Sequence, residues 1–382
     1  MPHNNIDLYS EQLDFLRNEN QYRVLKSSTG YNFINFSSND YLGISTNKVL
    51  LKEFLSKTDL DKTQFGSCAS RLMTGNYEEY FQLEELIAKA YNKENVLFFN
   101  SGYHANIGIL PAISKKGDLI ISDKLNHASI IDGLKLSPAD FTRYRHNDIE
   151  HLKSILEKKA HLYNNIFIVT ESIFSMDGDI APLKELVELK KRFETFLYVD
   201  EAHALGTHGK KGLGICEALG IIDDVDFIVG TFGKTMNSIG AYVACSRVFK
   251  EYLVNSMRSF IYTTSLPPIN IKWNLHVFPY IMQADKEREA LFNNIKLLKE
   301  LMSYSGLSIP SETQILPIII GDSGKTIQLS DYLFKKGFII MPVRPPTVPK
   351  NSSRLRISMS ASHTENEIKS LTSNLLDCDL QQ

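Results

Sequence analysis

The sequence predicts an α/β protein built on a mostly parallel central sheet, with a smaller α/β domain towards its C-terminus. Three observations carry that prediction. Short apolar runs recur from residue 95 onward: "NVLFFNSG", "DLIISD", "NIFIVTES", "FLYVDEAH", "DFIVGTFGK" and "AYVACS". Helical patterns lie between several of them, and continuous apolar runs separated by helices indicate strands covered on both faces. After residue 285 a long helical pattern leads into three further runs, "QILPIIIGD", "GFIIMPV" and "RLRISMS", which read as a second unit. The expected division is an N-terminal helix and strand segment over 1–45, a large domain over 46–284 and a small domain over 285–382.

Taken in order, the first element is an amphipathic helix with Tyr9, Leu13 and Leu16 on one face. "GYNFINFSSNDYLG" then alternates and turns. A helix follows Gly75 and Asn76: Asn76 can cap it, Glu79 stands three residues later, and Tyr80, Leu83 and Ile87 share a face. Within the strand series, "APLKELVELKKRF" reads as a helix with Pro182 near its first turn and Leu183, Leu186 and Val187 facing the sheet. "DKEREALFNNIKLLKELMSY" opens the second unit as a long helix. In "RLRISMS", strand alternation puts Arg354, Arg356 and Ser358 on one face and Leu355, Ile357 and Met359 on the other. A last helix starts at Thr364, with Glu367 in capping-box position.

Composition excludes several classes. Of 382 residues 43% are hydrophobic and 23% charged, and the formal net charge is −2, so no basic excess points to nucleic acid or an anionic membrane surface. No apolar run reaches the roughly 18 residues of a membrane span, and "MPHNNIDLYSEQ" lacks the basic start and apolar stretch of a signal peptide. Cys68, Cys216, Cys245 and Cys378 are scattered without a C-x-x-C pair. A reduced, cytoplasmic protein of enzyme size is the expectation.

Several of the apolar runs end in polar, reactive residues: Ser101, Asp123, Glu171, Asp200, His203, Thr231 and Lys234. In parallel sheets ligands gather at the strands' carboxyl ends. "GKT" occurs at 233–235 and 324–326, but the phosphate-loop pattern needs an earlier glycine where Ile228 and Ile319 stand. His203 and His208, five apart in a glycine-containing loop after Asp200, find no third strong ligand, so no metal is expected. Lys234 in "GTFGKTMNSIG" stands among glycines and small side chains; it is either a solvated loop lysine or an amine kept in a pocket to react. Asp200, ending a buried strand, calls for a partner: a salt bridge to an arginine or a helix-capping role is the ordinary reading, a cationic cofactor the functional one. Pyridoxal phosphate meets both needs, because its aldehyde bonds a lysine and its ring nitrogen is held protonated by a carboxylate. "NSGYHAN" turns from strand to helix; it is either an ordinary glycine turn or a helix start whose N–H groups around Ser101, Gly102 and Tyr103 would form an anion site for a phosphate. His127 in "NHAS" is either a hydrogen-bonded core histidine or a ring that lies on the cofactor.

At these motifs the chain resembles the α-oxoamine synthases, pyridoxal-phosphate enzymes of fold type I. "SNDYLG", "SGYHAN", "NHASIIDG", "SMDGDIAPL", "VDEAH", "GTFGK", "IYTTSLPP" and "RPPTVP" follow in order through nearly the whole sequence. The resemblance implies that Lys234 bonds the cofactor, Asp200 binds the pyridine nitrogen, His127 stacks on the ring, and His203 and Ser175 hold its polar edge. It implies that Ser101, Gly102 and Tyr103 shape the pocket and that Thr231 binds the phosphate. Thr263 and Thr264 of a partner subunit would assist, so a homodimer is implied. Asn39 and Arg356, with Arg23 and Thr347, are implied to meet substrate; the ordinary reading of Arg354 and Arg356 is pairing with carboxylates.

"RPPTVPKNSSRLRIS" is most similar to the biotin-pathway branch of the family. That branch implies L-alanine and pimeloyl-CoA or pimeloyl-acyl carrier protein as substrates, condensed with loss of carbon dioxide. Glycine C-acetyltransferase, 5-aminolevulinate synthase and serine palmitoyltransferase are the sister alternatives, and a non-catalytic regulator is a remote one. Two positions depart from the family pattern: Ala204 follows "VDEAH" where glycine is frequent, and Thr235-Met236-Asn237 follows the lysine in place of a glycine-rich stretch.

Overall fold

A computed structural model describes residues 6–25, 33–303 and 309–377; Cys378 and the first part of "GYNFINFSSNDYLG" lie outside them. Among the described residues the strands are β1 (Ile34–Asn35), β2 (Asn95–Phe99), β3 (Leu119–Asp123), β4 (Asp140–Tyr144), β5 (Ile166–Glu171), β6 (Phe196–Asp200), β7 (Phe227–Thr231), β8 (Ala241–Cys245), β9 (Ile315–Gly321), β10 (Phe338–Ile339), β11 (Pro342–Val343) and β12 (Ser353–Ser358).

The chain forms two compact units. The larger comprises Asp40–Ser175 and Asp179–Glu289. Its seven-stranded sheet has the order β2-β8-β7-β6-β5-β3-β4. Neighbours from β7 through β4 run parallel, while β8 is antiparallel to both β7 and β2. The parallel pairs are joined by intervening helices, as parallel pairing requires. β3, β5, β7 and β8 are buried along their whole length, which is why they read as unbroken apolar runs. The helix Leu183–Phe193 buries Leu183, Leu186, Val187 and Leu189, with Pro182 as its N-cap.

The second unit comprises residues 1–39, Met176–Gly178 and Ala290–Gln382. The N-terminal residues thus group with the C-terminal ones. β1 pairs with β10, and β11-β12-β9 forms an antiparallel sheet. The final helix, Glu365–Asp377, starts with a closed capping box: Thr364 N donates to Glu367 Oε2 at 2.7 Å and Glu367 N to Thr364 Oγ1 at 3.3 Å.

Two local expectations are corrected. The helix Glu78–Tyr91 takes Tyr77 as its N-cap with no side-chain cap bond, because Asn76 Oδ1 accepts from Arg71 Nε at 2.7 Å instead. The helix Ile6–Asn18 forms, but none of its residues is buried, and Tyr9 and Leu13 stay exposed.

Candidate active site

β5, β6 and β7 end at Glu171, Asp200 and Thr231, with Glu171 and Asp200 register partners across β5 and β6. Both carboxyls are buried. Asp200 Oδ1 accepts from Ala202 N at 2.9 Å and Oδ2 from Asn106 Nδ2 at 2.8 Å, both neutral donors. Burial, and then the Asp200 carboxylate beside it, pushes the Glu171 carboxyl well above its ordinary range, while the Lys234 ammonium opposes the shift.

Lys234 lies half-buried in the loop joining β7 to antiparallel β8. The loop is closed by Phe232 N to Gly240 O at 2.8 Å, Ser238 N to Phe232 O at 3.0 Å and Asn237 N to Lys234 O at 2.9 Å. Thr235 Oγ1 donates to Leu205 O at 2.8 Å and Met236 is fully buried, so the residues after the lysine are anchors. Gly206 makes room for this anchor: its φ is +89° and an added Cβ would stand 2.3 Å from Thr235 Cγ2. The Trp273 indole donates to Asn237 O at 3.2 Å.

His127 caps the helix Ala128–Leu136 through its ring: Ser129 N donates to Nδ1 at 3.2 Å, and Ser129 Oγ lies 2.8 Å from the same atom. Its own N–H donates to Glu171 Oε1 at 2.5 Å. Burial lowers the imidazole's affinity for a second proton; the Asp200 carboxylate pulls the other way and the Lys234 ammonium adds to the depression. Lys234, Asp200, Glu171 and His127 therefore form one electrostatic group. His203 is buried with Nδ1 2.6 Å from the Tyr41 hydroxyl.

Ser101 caps the helix Gly102–Ile113, accepting from His104 N at 3.2 Å, which commits its hydroxyl to the helix. Gly102 adjoins Thr231: an added Cβ would lie 3.7 Å from Thr231 Oγ1. Thr231 is buried and donates to Gly240 O at 3.1 Å. Asn100 Nδ2 reaches Thr263 Oγ1 at 3.2 Å and Thr264 O at 2.6 Å, so both threonines stand beside the start of that helix in the same chain. Tyr103 is exposed and donates to Asp132 at 2.7 Å. Ser175 is half-buried and follows Phe174, whose N–H bonds Asp179 O at 3.0 Å.

The other candidates belong to the second unit. Arg356 is buried and donates from Nη1 to Ser358 Oγ at 2.6 Å and Asn39 Oδ1 at 3.3 Å, both neutral acceptors. Arg354 is ion-paired with Asp177. Arg23 Nη2 donates to Thr347 Oγ1 at 3.1 Å. The four substrate candidates thus form two pairs, Arg356 with Asn39 and Arg23 with Thr347.

A family model described as aminotransferase class I and II matches residues 31–375. The chain belongs to the aminotransferase class I and II family. A curated relative from Haemophilus influenzae, named "Putative 8-amino-7-oxononanoate synthase", is 46% identical over 380 residues, covering 97% of this chain and 100% of the relative. A serine palmitoyltransferase from S. paucimobilis, solved with a bound PLP–myriocin aldimine, superposes with a TM-score of 0.88 at 27% identity, covering 97% of this chain and 96% of that one. An 8-amino-7-oxononanoate synthase from Francisella tularensis gives 0.76 at 32% identity, over 90% of this chain and 97% of that one.

The aminotransferase family and the PLP-bound neighbours together indicate pyridoxal phosphate as the cofactor. The donor set of this chain fits it: a buried carboxylate held by neutral donors suits a protonated ring nitrogen, and a helix start beside Thr231 suits a phosphate. Sequence reasoning did not single out Asn106, Ser129 and Tyr41, which hold Asp200, His127 and His203. The one available signal was a polar Asn106 inside the otherwise apolar "ANIGIL". Among the described residues no helix is long and apolar enough to cross a membrane.

Proposed function

We propose that this chain condenses L-alanine with a pimeloyl thioester, releasing carbon dioxide and a free thiol and giving 8-amino-7-oxononanoate for biotin synthesis. The observation that carries the chemistry is the joining of Lys234 with buried Asp200, Glu171 and His127 at the strand ends. The choice of alanine and a pimeloyl group rests on the near full-length likeness to relatives named for that product. Pyridoxal phosphate, when bound, supplies an electron sink for the charge left as the amino acid's α-proton departs.

The residues divide the remaining work. Lys234 Nζ would hold the cofactor's aldehyde and, as a free amine, would take the substrate's α-proton. Asp200 would keep the pyridine nitrogen protonated, and His127 would pack on the ring. His203 and Ser175 hold its polar edge. Thr231 and the backbone N–H groups of Gly102 and Tyr103 hold the phosphate. Asn39 and Arg356 take the alanine carboxylate, for which a guanidinium fork is the matching donor; Arg23 and Thr347 are assigned to substrate as well. Thr263 and Thr264 serve the other subunit of a cytoplasmic homodimer, and the exposed Phe65, Leu72, Met73 and Tyr262 are suited to being covered by a second copy.

A second reading, a serine-using member of the same family, is favoured by the higher TM-score to serine palmitoyltransferase. One assay separates them. Purified protein with pyridoxal phosphate is given alanine, glycine or serine and either a pimeloyl or a palmitoyl thioester, and the product is identified by mass. 8-Amino-7-oxononanoate from alanine is expected; turnover of serine with palmitoyl thioester alone would establish the second reading.

A further inference from the structure

Two fully enclosed side chains, Asn106 and Ser129, connect Asp200 to His127, and a third, Tyr198, anchors Asn106. Tyr198 in β6, Asn106 in the helix Gly102–Ile113 and Ser129 in the helix Ala128–Leu136 are each at most 2% exposed. The Tyr198 hydroxyl lies 2.5 Å from Asn106 Oδ1, an atom that only accepts, so the tyrosine donates. That leaves Asn106 Nδ2 to donate twice: to Asp200 Oδ2 at 2.8 Å and to Ser129 Oγ at 3.0 Å. Having accepted from Asn106, the Ser129 hydroxyl turns its own proton to His127 Nδ1, 2.8 Å away. The Ser129 backbone N–H, which can only donate, reaches the same Nδ1 at 3.2 Å. Two donors on one ring nitrogen leave no place there for a proton, so the imidazole proton resides on Nε2.

We propose that Asn106 is a positioning residue whose single amide orients Asp200 and, through Ser129, holds His127 as the neutral Nε2–H tautomer. Only an amide of this length offers one acceptor to Tyr198 and two donors to Asp200 and Ser129; an aspartate would set a second carboxylate against Asp200. The charged groups acting on His127 are Asp200 and Asp132, which favour the imidazolium, and Lys234, which opposes it; Glu171 holds the residue's backbone. Burial outweighs the two carboxylates, in line with a neutral ring. What the two residues are positioned for rests on the cofactor reading above: a neutral ring stacked on the pyridine places no second cation beside the nitrogen that Asp200 keeps protonated.

The test is nitrogen NMR of histidine-labelled protein at pH 7.5, with and without pyridoxal phosphate, the His127 signals being identified by their loss in His127→Asn. Wild-type protein should show an unprotonated Nδ1 and a protonated Nε2 even without cofactor. Ser129→Ala loses the hydroxyl donor and keeps the backbone N–H on Nδ1, so a measurable share of the Nδ1–H tautomer should appear with cofactor affinity within about threefold, whereas Asn106→Leu should bring the same shift and also weaken cofactor binding by about tenfold or more, the scale of a lost hydrogen bond to a buried charge. A proton on Nδ1, or on both nitrogens, in the wild-type protein overturns the proposal whatever the variants do. So does an unchanged tautomer in Ser129→Ala, which removes a single hydroxyl and so stays readable should Asn106→Leu fail to fold. Failure of the wild-type protein to bind pyridoxal phosphate would overturn the cofactor reading and leave the tautomer result standing.

Discussion

Lys234 keeps its half-buried place because the residues around it are committed to other partners. Phe232 closes on Gly240, Thr235 is bonded to Leu205, and Met236 is enclosed. The two departures from the family pattern are accounted for at this scale. Asn237 takes φ +45°, a left-handed conformation that asparagine adopts more readily than most residues, so a glycine is dispensable there. Ala204 is not among the residues with positive φ and needs no glycine either. Borohydride reduction of the cofactor-loaded protein should fix the cofactor onto Lys234, and Lys234→Ala should lose that trapping altogether; mass mapping that finds the label elsewhere would refute the assignment. The arginines of β12 should separate in kinetics. Arg354, paired with Asp177, should behave as a structural residue, Arg354→Lys losing about 1–2 kcal/mol of stability with alanine KM little changed. Arg356→Lys keeps charge but loses the fork, so alanine KM should rise by about tenfold or more while the KM for the thioester holds. The reverse pattern would move the carboxylate site to Arg354.

Among the elements, the turn after β5 is held by a histidine shared between two acids. His146 Nδ1 lies 2.9 Å from Asp123 Oδ1 and Nε2 2.6 Å from Asp179 Oδ2, with the Phe174 ring edge-on at 4.4 Å. Burial works against the charge, but the two carboxylates overcome it and raise the imidazole from 6.5 to about 10. Below 6.5 the group is protonated folded and unfolded, so its stabilisation is whole; the contribution shrinks as pH rises and is gone once the folded value of about 10 is passed. His146→Gln should therefore cost about 2 kcal/mol at pH 6 and clearly less at pH 9, read from urea unfolding; a gap constant with pH would contradict the shared-proton bridge. Elements of this kind also mark where the sequence stops being readable. The six apolar runs became strands because a strand buried on both faces has no other composition open to it. β4 escapes the sequence reading since among the described residues it pairs only with β3, at the sheet edge, and exposes Asp140, Phe141 and Arg143. Asn76 carried the right local chemistry for a cap and lost it to Arg71, a partner that no nearest-neighbour rule sees. The motif residues of the site were legible through their strand-end positions and family spacing. Asn106, Ser129 and Tyr198 were not, because their meaning lies in contacts between segments far apart in the chain.

For the molecule as a whole, the proposal that Thr263 and Thr264 serve the other subunit's site would make activity a property of the pair. Lys234→Ala and a Thr263→Ala/Thr264→Ala double variant should each be weak alone. Mixed after mild unfolding and refolding, they should regain up to about a quarter of wild-type turnover, because hybrid C2 dimers contain one intact site. No recovery on mixing, with hybrids verified by native mass spectrometry, would place both functions within one chain. The sheet order has a consequence for synthesis on the ribosome. Among the described residues β2 stands at the sheet edge with β8 as its only neighbour, yet β2 ends at Phe99 and β8 begins at Ala241. At translation rates of about 5–20 residues per second, the apolar Val96-Leu97-Phe98-Phe99 waits on the order of ten seconds or more outside the ribosome before the strand that will cover its edge exists. Slowing translation between β2 and β8 should therefore lower soluble yield more than slowing it after β8.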